Sequence, residues 1–348
     1  MKMNDNLDPC FIIAEAGSNW KCGSYEEDLD QAKKLIRIAS SAGADAIKFQ
    51  TYKSKTVYVE NAGKSSYLSK NGIDENINDL FDHLSMPYKM IPEIAEFCKE
   101  EKIAFMSTPF SVEDASEIDP FVKIHKIASF EINHVKLLEF LAKTGKPIIL
   151  STGASDYEDI KFAIKCLKDN GCNDLTLLQC TSEYPCMLES LNLKTIPEMR
   201  IKFNVPVGFS DHSKDPVIGP VSAVALGATI VEKHFTLNKN LDGPDHKFAI
   251  NPEELELMVR SIRDIEKTFG EKEKKIIDAE KELRQFATRS IQAIKDIKKG
   301  EKLIAGHNFE ILRPGNKKRG LPGRYFSEVN NRYATMDIMK GDGIIEFS

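Results

Sequence analysis

Eight short apolar runs recur along the chain, and most are followed by a stretch with helical period. They are FIIAEAG (11–17), ADAIKFQ (44–50), IAFMSTP (103–109), VKIHKIAS (122–129), PIILSTG (147–153), LTLLQCT (175–181), VPVGFSD (205–211) and ATIVEKHF (228–235). After the first run, Leu29, Ala32, Leu35, Ile36 and Ala39 fall on one helical face. EDIKFAIKCLKDN (158–170) is a second helical stretch of this kind. Eight β-then-α units predict an α/β fold, a closed parallel (β/α)8 TIM barrel. An open doubly wound sheet is the alternative, but no GxGxxG follows the first strand. The span 51–88 is a long insertion after the second strand, of the size that forms surface excursions or lids.

The last barrel helix is bounded by Asn251 as a cap and Pro252 in the first helical position. Leu255, Met258, Val259, Ile262 and Ile265 form its apolar stripe. This places the barrel in residues 1–270. EKEKKIIDAEKELRQ, within 271–287, is charge-rich and reads as a solvated linker or helix. Residues 288–348 carry short alternating runs and turn glycines at 300, 315, 320 and 323, and predict a small, mainly β module. About sixty residues are marginal for independent stability, so the module is expected to pack on its own barrel or on a neighbour.

Composition excludes several classes. The net charge of -5 argues against a general nucleic-acid binder, which needs a basic surface. No apolar run approaches the roughly 20 residues of a membrane span, and the N-terminus lacks the apolar core of a secretory signal. The seven cysteines form no CxxC pair, so reduced thiols and a cytoplasmic location are expected.

In a (β/α)8 barrel the chemistry sits at the carboxyl ends of the strands. Those ends carry Glu15; Lys48 and Gln50; Ser107 and Thr108; Lys126 and Ser129; Ser151 and Thr152; Thr181, Ser182 and Tyr184; Ser210 and His212; Glu232 and His234. Residues i and i+2 of a strand share a face. Gly208, Ser210 and His212 therefore share one, with Val207 and Phe209 turned toward the helices. His212 and His234 come from neighbouring strands and form a plausible divalent-metal half-site. Lys48 and Lys126, with several hydroxyls, suit an anion carrying phosphate and carboxylate. Glu15, Glu131 and Glu232 are alternative, purely structural partners for those lysines. Asp245, after a Gly-Pro turn, is placed either to bind polyol hydroxyls or to sit in a solvated turn.

Taken together, AEAG…N (14–19), IKFQTY (47–52), STPF (107–110), KIAS (126–129), STG (151–153), CTSEYP (180–185), GFSDHS (208–213), EKHFTL (232–237) and GPDH (243–246) resemble the sialic acid synthase family, which makes nine-carbon 2-keto sugar acids. DIKKGE (296–301) and RPG (313–315) resemble that family's antifreeze-like (SAF) domain. The resemblance implies condensation of phosphoenolpyruvate with an N-acyl hexosamine aldehyde, N-acetylmannosamine first, to give N-acetylneuraminate and phosphate. A legionaminate or pseudaminate synthase using a diacetylated dideoxy sugar is the alternative. It further implies Mn2+, or Mg2+ or Co2+, on His212 and His234, and phosphoenolpyruvate on Lys48, Thr108, Lys126, Ser129, Ser151, Ser182 and Ser210. Gln50, Tyr184 and Asp245 would face the sugar, with Glu15 as acid/base group. Arg313 would reach the partner subunit's site in a domain-swapped homodimer. Trp20 stands where the family's first motif usually has histidine, and Lys317, Lys318 and Arg319 add a basic patch. Two other classes compete: a non-catalytic sugar-binding protein, and a Schiff-base aldolase using Lys126 or Lys233.

Overall fold

The computed structural model describes residues 9–65 and 73–348. Eight parallel strands run in barrel order: β1 Phe11–Gly17, β2 Ala46–Thr51, β3 Ala104–Pro109, β4 His125–Ile127, β5 Ile148–Ser151, β6 Leu175–Cys180, β7 Val207–Asp211 and β8 Ile230–His234. Their hydrogen-bonded order is β3-β2-β1-β8-β7-β6-β5-β4. β1 and β8 pair directly, and β3 and β4 lie side by side, so the barrel is nearly closed. All eight expected strands are present, within a few residues of the expected bounds.

Two apolar layers hold the barrel. Outside the strands, the helices pack through stripes expected from the sequence. In helix Tyr25–Ser41, Ala32, Leu35, Ile36 and Ala39 are buried, behind a Ser24–Glu27 capping box. In helix Pro252–Thr268, Leu255, Met258, Val259 and Ile262 are buried. Asn251 Oδ1 accepts the Glu254 amide at 2.8 Å, and Glu254 Oε2 accepts the Asn251 amide at 2.8 Å. Such a cap contributes about 1 kcal/mol. Val207 and Phe209 belong to this outer layer. Inside the strands, Ile13, Ala46, Met106, Ile149, Leu178 and Ile230 form a dry floor. Two residues further along, the same inward face turns polar on five of those strands, at Glu15, Lys48, Thr108, Ser151 and Glu232, while β6 carries Cys180.

Gly208 occupies a tight point of that floor. A Cβ there would lie 2.6 Å from the Ile230 carbonyl oxygen and 2.6 Å from Leu178 Cδ2. Neither the backbone of β8 nor the packed leucine has room to yield. Gly208→Ala should destabilise the barrel by about 1–3 kcal/mol, read as a lower melting temperature with the far-UV dichroism of the folded state preserved.

Within the 51–88 insertion, Tyr52, Ile77, Leu80 and Leu84 form a small apolar cluster. The rest of that expected excursion, 66–72, lies outside the described residues. Trp20 is a core residue, 1% exposed, and packs in the large apolar cluster behind β1 and β2.

The chain divides into two compact units, Met1–Phe269 and Gly270–Ser348. The stretch expected as a linker falls in the second unit. It contains a 3-10 turn at Asp278–Glu280 and a helix at Lys281–Ala287. The second unit has its own core of Ile291, Ala293, Ile297, Leu303, Phe309, Val329, Ala334, Ile338 and Ile344. An antiparallel pair, β9 Ser290–Ala293 and β10 Phe309–Leu312, and several isolated bridges organise it.

Candidate active site

The polar layer above the barrel floor is built by strand register. Glu15 lies opposite Lys48 on one side and His234 on the other. Gln50 lies opposite Thr108, Cys180 opposite Ser210, and Ser210 opposite Glu232. Inward-pointing residues of six strands thus meet at one level.

Two buried lysines dominate the layer. Lys48 Nζ is 2.5 Å from Glu15 Oε2 and 3.7 Å from Glu232 Oε2, and it donates to Thr108 Oγ1 at 3.0 Å. Lys126 Nζ donates to Ser151 Oγ at 2.7 Å and to the Ile127 carbonyl at 3.1 Å, and lies 3.7 Å from Glu232 Oε1. Ser210 Oγ also donates to Glu232 Oε1, at 3.1 Å. Glu232 therefore sits between both ammonium groups. Burial alone would raise its pKa, but Lys126 and Lys48 outweigh that and hold it below the usual value. Buried charges persist only when paired in this way. The structural pairing left open for the glutamates is present for Glu232 and Glu15.

Next to this pair, three groups close on the Cα of Gly153. A Cβ there would lie 2.3 Å from Ser182 Oγ and 3.0 Å from both Cys180 Sγ and Ser129 Oγ. The Gly153 amide donates to Ser129 Oγ at 2.9 Å. Thr108, Ser151 and Ser210 thus bond to the lysines or to Glu232, while Ser129 and Ser182 gather at Gly153, two residues after Ser151. Ser182 stands just beyond β6, and its buried hydroxyl has no hydrogen-bond partner. A cleft of about 900 Å³ opens beside Thr152, Cys180, Thr181 and Ser182, but neither lysine nor histidine lines it.

The imidazoles stand at the ends of β7 and β8. The rings of His212 and His234 lie 5.6 Å apart between centroids. His212 Nδ1 is 2.8 Å from the Thr181 carbonyl oxygen. A carbonyl only accepts, so Nδ1 carries the proton and Nε2 of the neutral ring keeps its lone pair. Burial, with His212 and the lysines nearby, holds the His234 pKa well below the usual imidazole value. Burial opposes a charge on His212 too, but Cys180, with Sγ 3.8 Å from Nδ1, and the Thr181 carbonyl raise its pKa, so a cation there competes with a proton. Among the described residues no group of three or more His, Cys, Asp or Glu is arranged around a metal position. The donor set present is a two-imidazole half-site with one ring fixed by its outer hydrogen bond. That suits a divalent ion whose remaining positions are taken by water or substrate.

Asp245 approaches from the loop after β8, its Oδ2 3.6 Å from His234 Nδ1. Burial raises its pKa to about 6, against the opposing pull of His212 and Lys48. Tyr184 covers His212 with ring centroids 4.1 Å apart, and Phe248 packs 5.1 Å from His234. Gln50 Nε2 donates to Glu15 Oε1 at 3.0 Å. Burial raises the Glu15 pKa to about 7, with Lys48 opposing and Glu232 reinforcing the shift. Glu131, on the turn after β4, is likewise raised to about 7 by burial, against Lys126.

Thirteen of the expected site residues are therefore brought to the carboxyl end of the barrel: Glu15, Lys48, Gln50, Thr108, Lys126, Ser129, Ser151, Ser182, Tyr184, Ser210, His212, His234 and Asp245. Arg313 stands exposed after β10 in the second unit. Glu232, Glu131 and Cys180 are at the site without having been assigned to it. Glu232 was visible as a strand-end carboxylate two residues before His234. Cys180 shares its face with Leu178 and reads as core by type alone. Lys233 is not available as an aldolase nucleophile: it points to the outer face, and its Nζ is 2.6 Å from Asp211 Oδ2.

Fold and site together define a (β/α)8 barrel with two buried lysines, several hydroxyls and an imidazole pair at the carboxyl ends of its strands. A model of the NeuB family matches residues 35–274. The N,N'-diacetyllegionaminic acid synthase of Campylobacter jejuni is 39% identical over 340 residues, covering 97% of this chain and 99% of that protein. The pseudaminic acid synthase of the same species is 37% identical over 337 residues, covering 96% and 95%. The crystal structure of an N-acetylneuraminic acid (sialic acid) synthetase from Leptospira borgpetersenii, in complex with citrate, superposes with a TM-score of 0.70 at 33% identity, covering 80% of this chain and 91% of that one. The chain belongs to the NeuB family. No helix among its described residues is long and apolar enough to cross a membrane.

Proposed function

We propose that the protein condenses phosphoenolpyruvate with the open-chain aldehyde of an N-acyl hexosamine, plus water, giving a nine-carbon 2-keto sugar acid and phosphate. The observation that carries this reading is the placement of two buried lysines, bridged by Glu232, beside the His212–His234 pair at one level of the barrel. Phosphoenolpyruvate brings a phosphate and a carboxylate, which Lys48 and Lys126 neutralise, while Thr108, Ser129, Ser151, Ser182 and Ser210 supply directional hydrogen bonds. His212 and His234 would hold a divalent ion, with Mn2+ first and Mg2+ or Co2+ as alternatives, which would supply Lewis-acid polarisation of the aldehyde oxygen.

Carbon 3 of phosphoenolpyruvate bonds to the aldehyde carbon with its C2=C3 electron pair, the C=O pair passes to the aldehyde oxygen, which takes up a proton and becomes a hydroxyl, and positive character develops at carbon 2. Glu15, half ionised near neutrality, takes a proton from the water that adds there. The tetrahedral intermediate expels phosphate and leaves the 2-keto group. Glu131 is a second carboxyl able to exchange a proton beside Lys126. Gln50, Tyr184 and Asp245 orient the sugar. The relatives are named as synthases, which argues against the non-catalytic alternative.

N-acetylmannosamine is the first candidate sugar. A diacetylated dideoxy sugar is the second reading, and the legionaminic and pseudaminic names of the relatives support it. Turnover across both sugars decides between them: a kcat/KM preference of at least about tenfold, 1.4 kcal/mol, identifies the substrate.

The second unit reads as the antifreeze-like domain, with the protein working as a domain-swapped homodimer in the cytoplasm. The seven cysteines of the chain, all in the first unit, are free, which supports a reducing compartment. Arg313 of the partner subunit would bind the N-acyl group. Arg313→Ala should then raise the sugar KM roughly ten- to a hundredfold, the cost of a charged hydrogen bond. Mixing it with a His212→Ala variant should restore part of the activity. An unchanged KM removes Arg313 from the site, and no restoration argues against a shared one.

A further inference from the structure

The ladder between β7 and β8 stops one residue short of the histidines. Its last rungs are Phe209↔Val231, Ser210↔Glu232 and Asp211↔Lys233. His212 follows Asp211 outside the strand, so backbone pairing alone does not hold it against His234. On the outer face of that last rung sits a buried ion pair, with Asp211 and Lys233 each 1% exposed. Lys233 Nζ donates to Asp211 Oδ2 at 2.6 Å and to the Ser213 carbonyl at 2.7 Å. The Ser213 amide donates to Asp211 Oδ1 at 2.8 Å, and its hydroxyl to Asp211 Oδ2 at 3.1 Å. Both neighbours of His212 are therefore tied to the residue that precedes His234. Behind the pair, a Cβ on Gly219 would lie 2.9 Å from Asp211 Oδ2, so the helix Ile218–Ala225 closes the carboxylate in.

We infer that Asp211, Lys233 and Ser213 form a clamp that positions His212 against His234 for a divalent ion. They are positioning residues: none faces the barrel interior, and each acts through the histidine beside it. The inference rests on the proposed metal role of that pair.

Removing one charge would strand the other in the interior, so the informative variant removes both. In Asp211→Asn/Lys233→Met, the Mn2+ dissociation constant, read by electron paramagnetic resonance titration, should rise about ten- to a hundredfold, as for other residues that orient metal ligands. Phosphoenolpyruvate binding without metal should stay at the wild-type value, because Lys48 and Lys126 are untouched. If the double variant does not fold, Ser213→Ala removes one hydroxyl and should weaken Mn2+ several-fold. Wild-type Mn2+ affinity in whichever variant folds overturns the clamp alone. A wild-type protein that binds no divalent ion overturns the metal reading, and the clamp with it.

Discussion

His212→Ala should lower metal-dependent kcat/KM by on the order of a thousandfold, the scale of losing a main electrostatic stabiliser of a developing oxyanion. Phosphoenolpyruvate affinity should hardly change. The lysines and hydroxyls that would hold it lie on β2, β3, β4, β5 and β7, with Ser129 and Ser182 just beyond β4 and β6, and His212 makes no hydrogen bond to any of them. The structural cost is bounded: the variant leaves the part-buried Thr181 carbonyl without its 2.8 Å partner, less than the about 1–3 kcal/mol of a fully buried acceptor. A folded variant with intact phosphoenolpyruvate binding and lost turnover separates a ligand from a mere core histidine. Activity within a few-fold of wild type would end its assignment.

Glu15→Gln should lower kcat by about two to four orders of magnitude, the usual contribution of a general acid or base, and should also change the pH profile. With a pKa of about 7, Glu15 is mostly protonated below neutrality and ionised above it. As a base it acts only when ionised, so wild-type kcat should rise with pH toward 7 and level off above it. In the glutamine variant this limb should be flat, because no group at that position titrates. The amide keeps the shape and can still accept a hydrogen bond, while Lys48 retains Glu232 at 3.7 Å and Thr108 at 3.0 Å. A variant whose residual rate still rises toward pH 7 would place the titrating group elsewhere, with Glu131 next to be tested.

The barrel was legible because its signals are local. Strand runs, helical stripes and the Asn251-Pro252 start each depend on residues a few positions apart. The i, i+2 rule also carried most of the site, since Lys48 with Gln50, and Ser210 with His212, need only strand alternation to be placed together. What sequence could not supply was register across the barrel. Nothing within β8 says that Glu232 faces two lysines, one from β2 and one from β4. Nor does anything within β7 say that Asp211 meets Lys233 rather than solvent. Lys233 was open as a nucleophile for the same reason, because the amine's direction depends on which rung of the ladder it occupies. Trp20 is a different case: its burial depends on helices distant in sequence, so a motif comparison alone marked it as a departure at the site. Arg313 stands in the second unit, and its assignment rests on the resemblance.

The most direct test is phosphate release from phosphoenolpyruvate by the purified protein, with Mn2+ and each candidate N-acyl hexosamine in turn. The account predicts release that depends on one of the sugars, stops with EDTA, and is matched one-to-one by a nine-carbon 2-keto acid. Phosphate release on none of the sugars, or turnover unaffected by EDTA with pyruvate trapped on a lysine by borohydride, would contradict it.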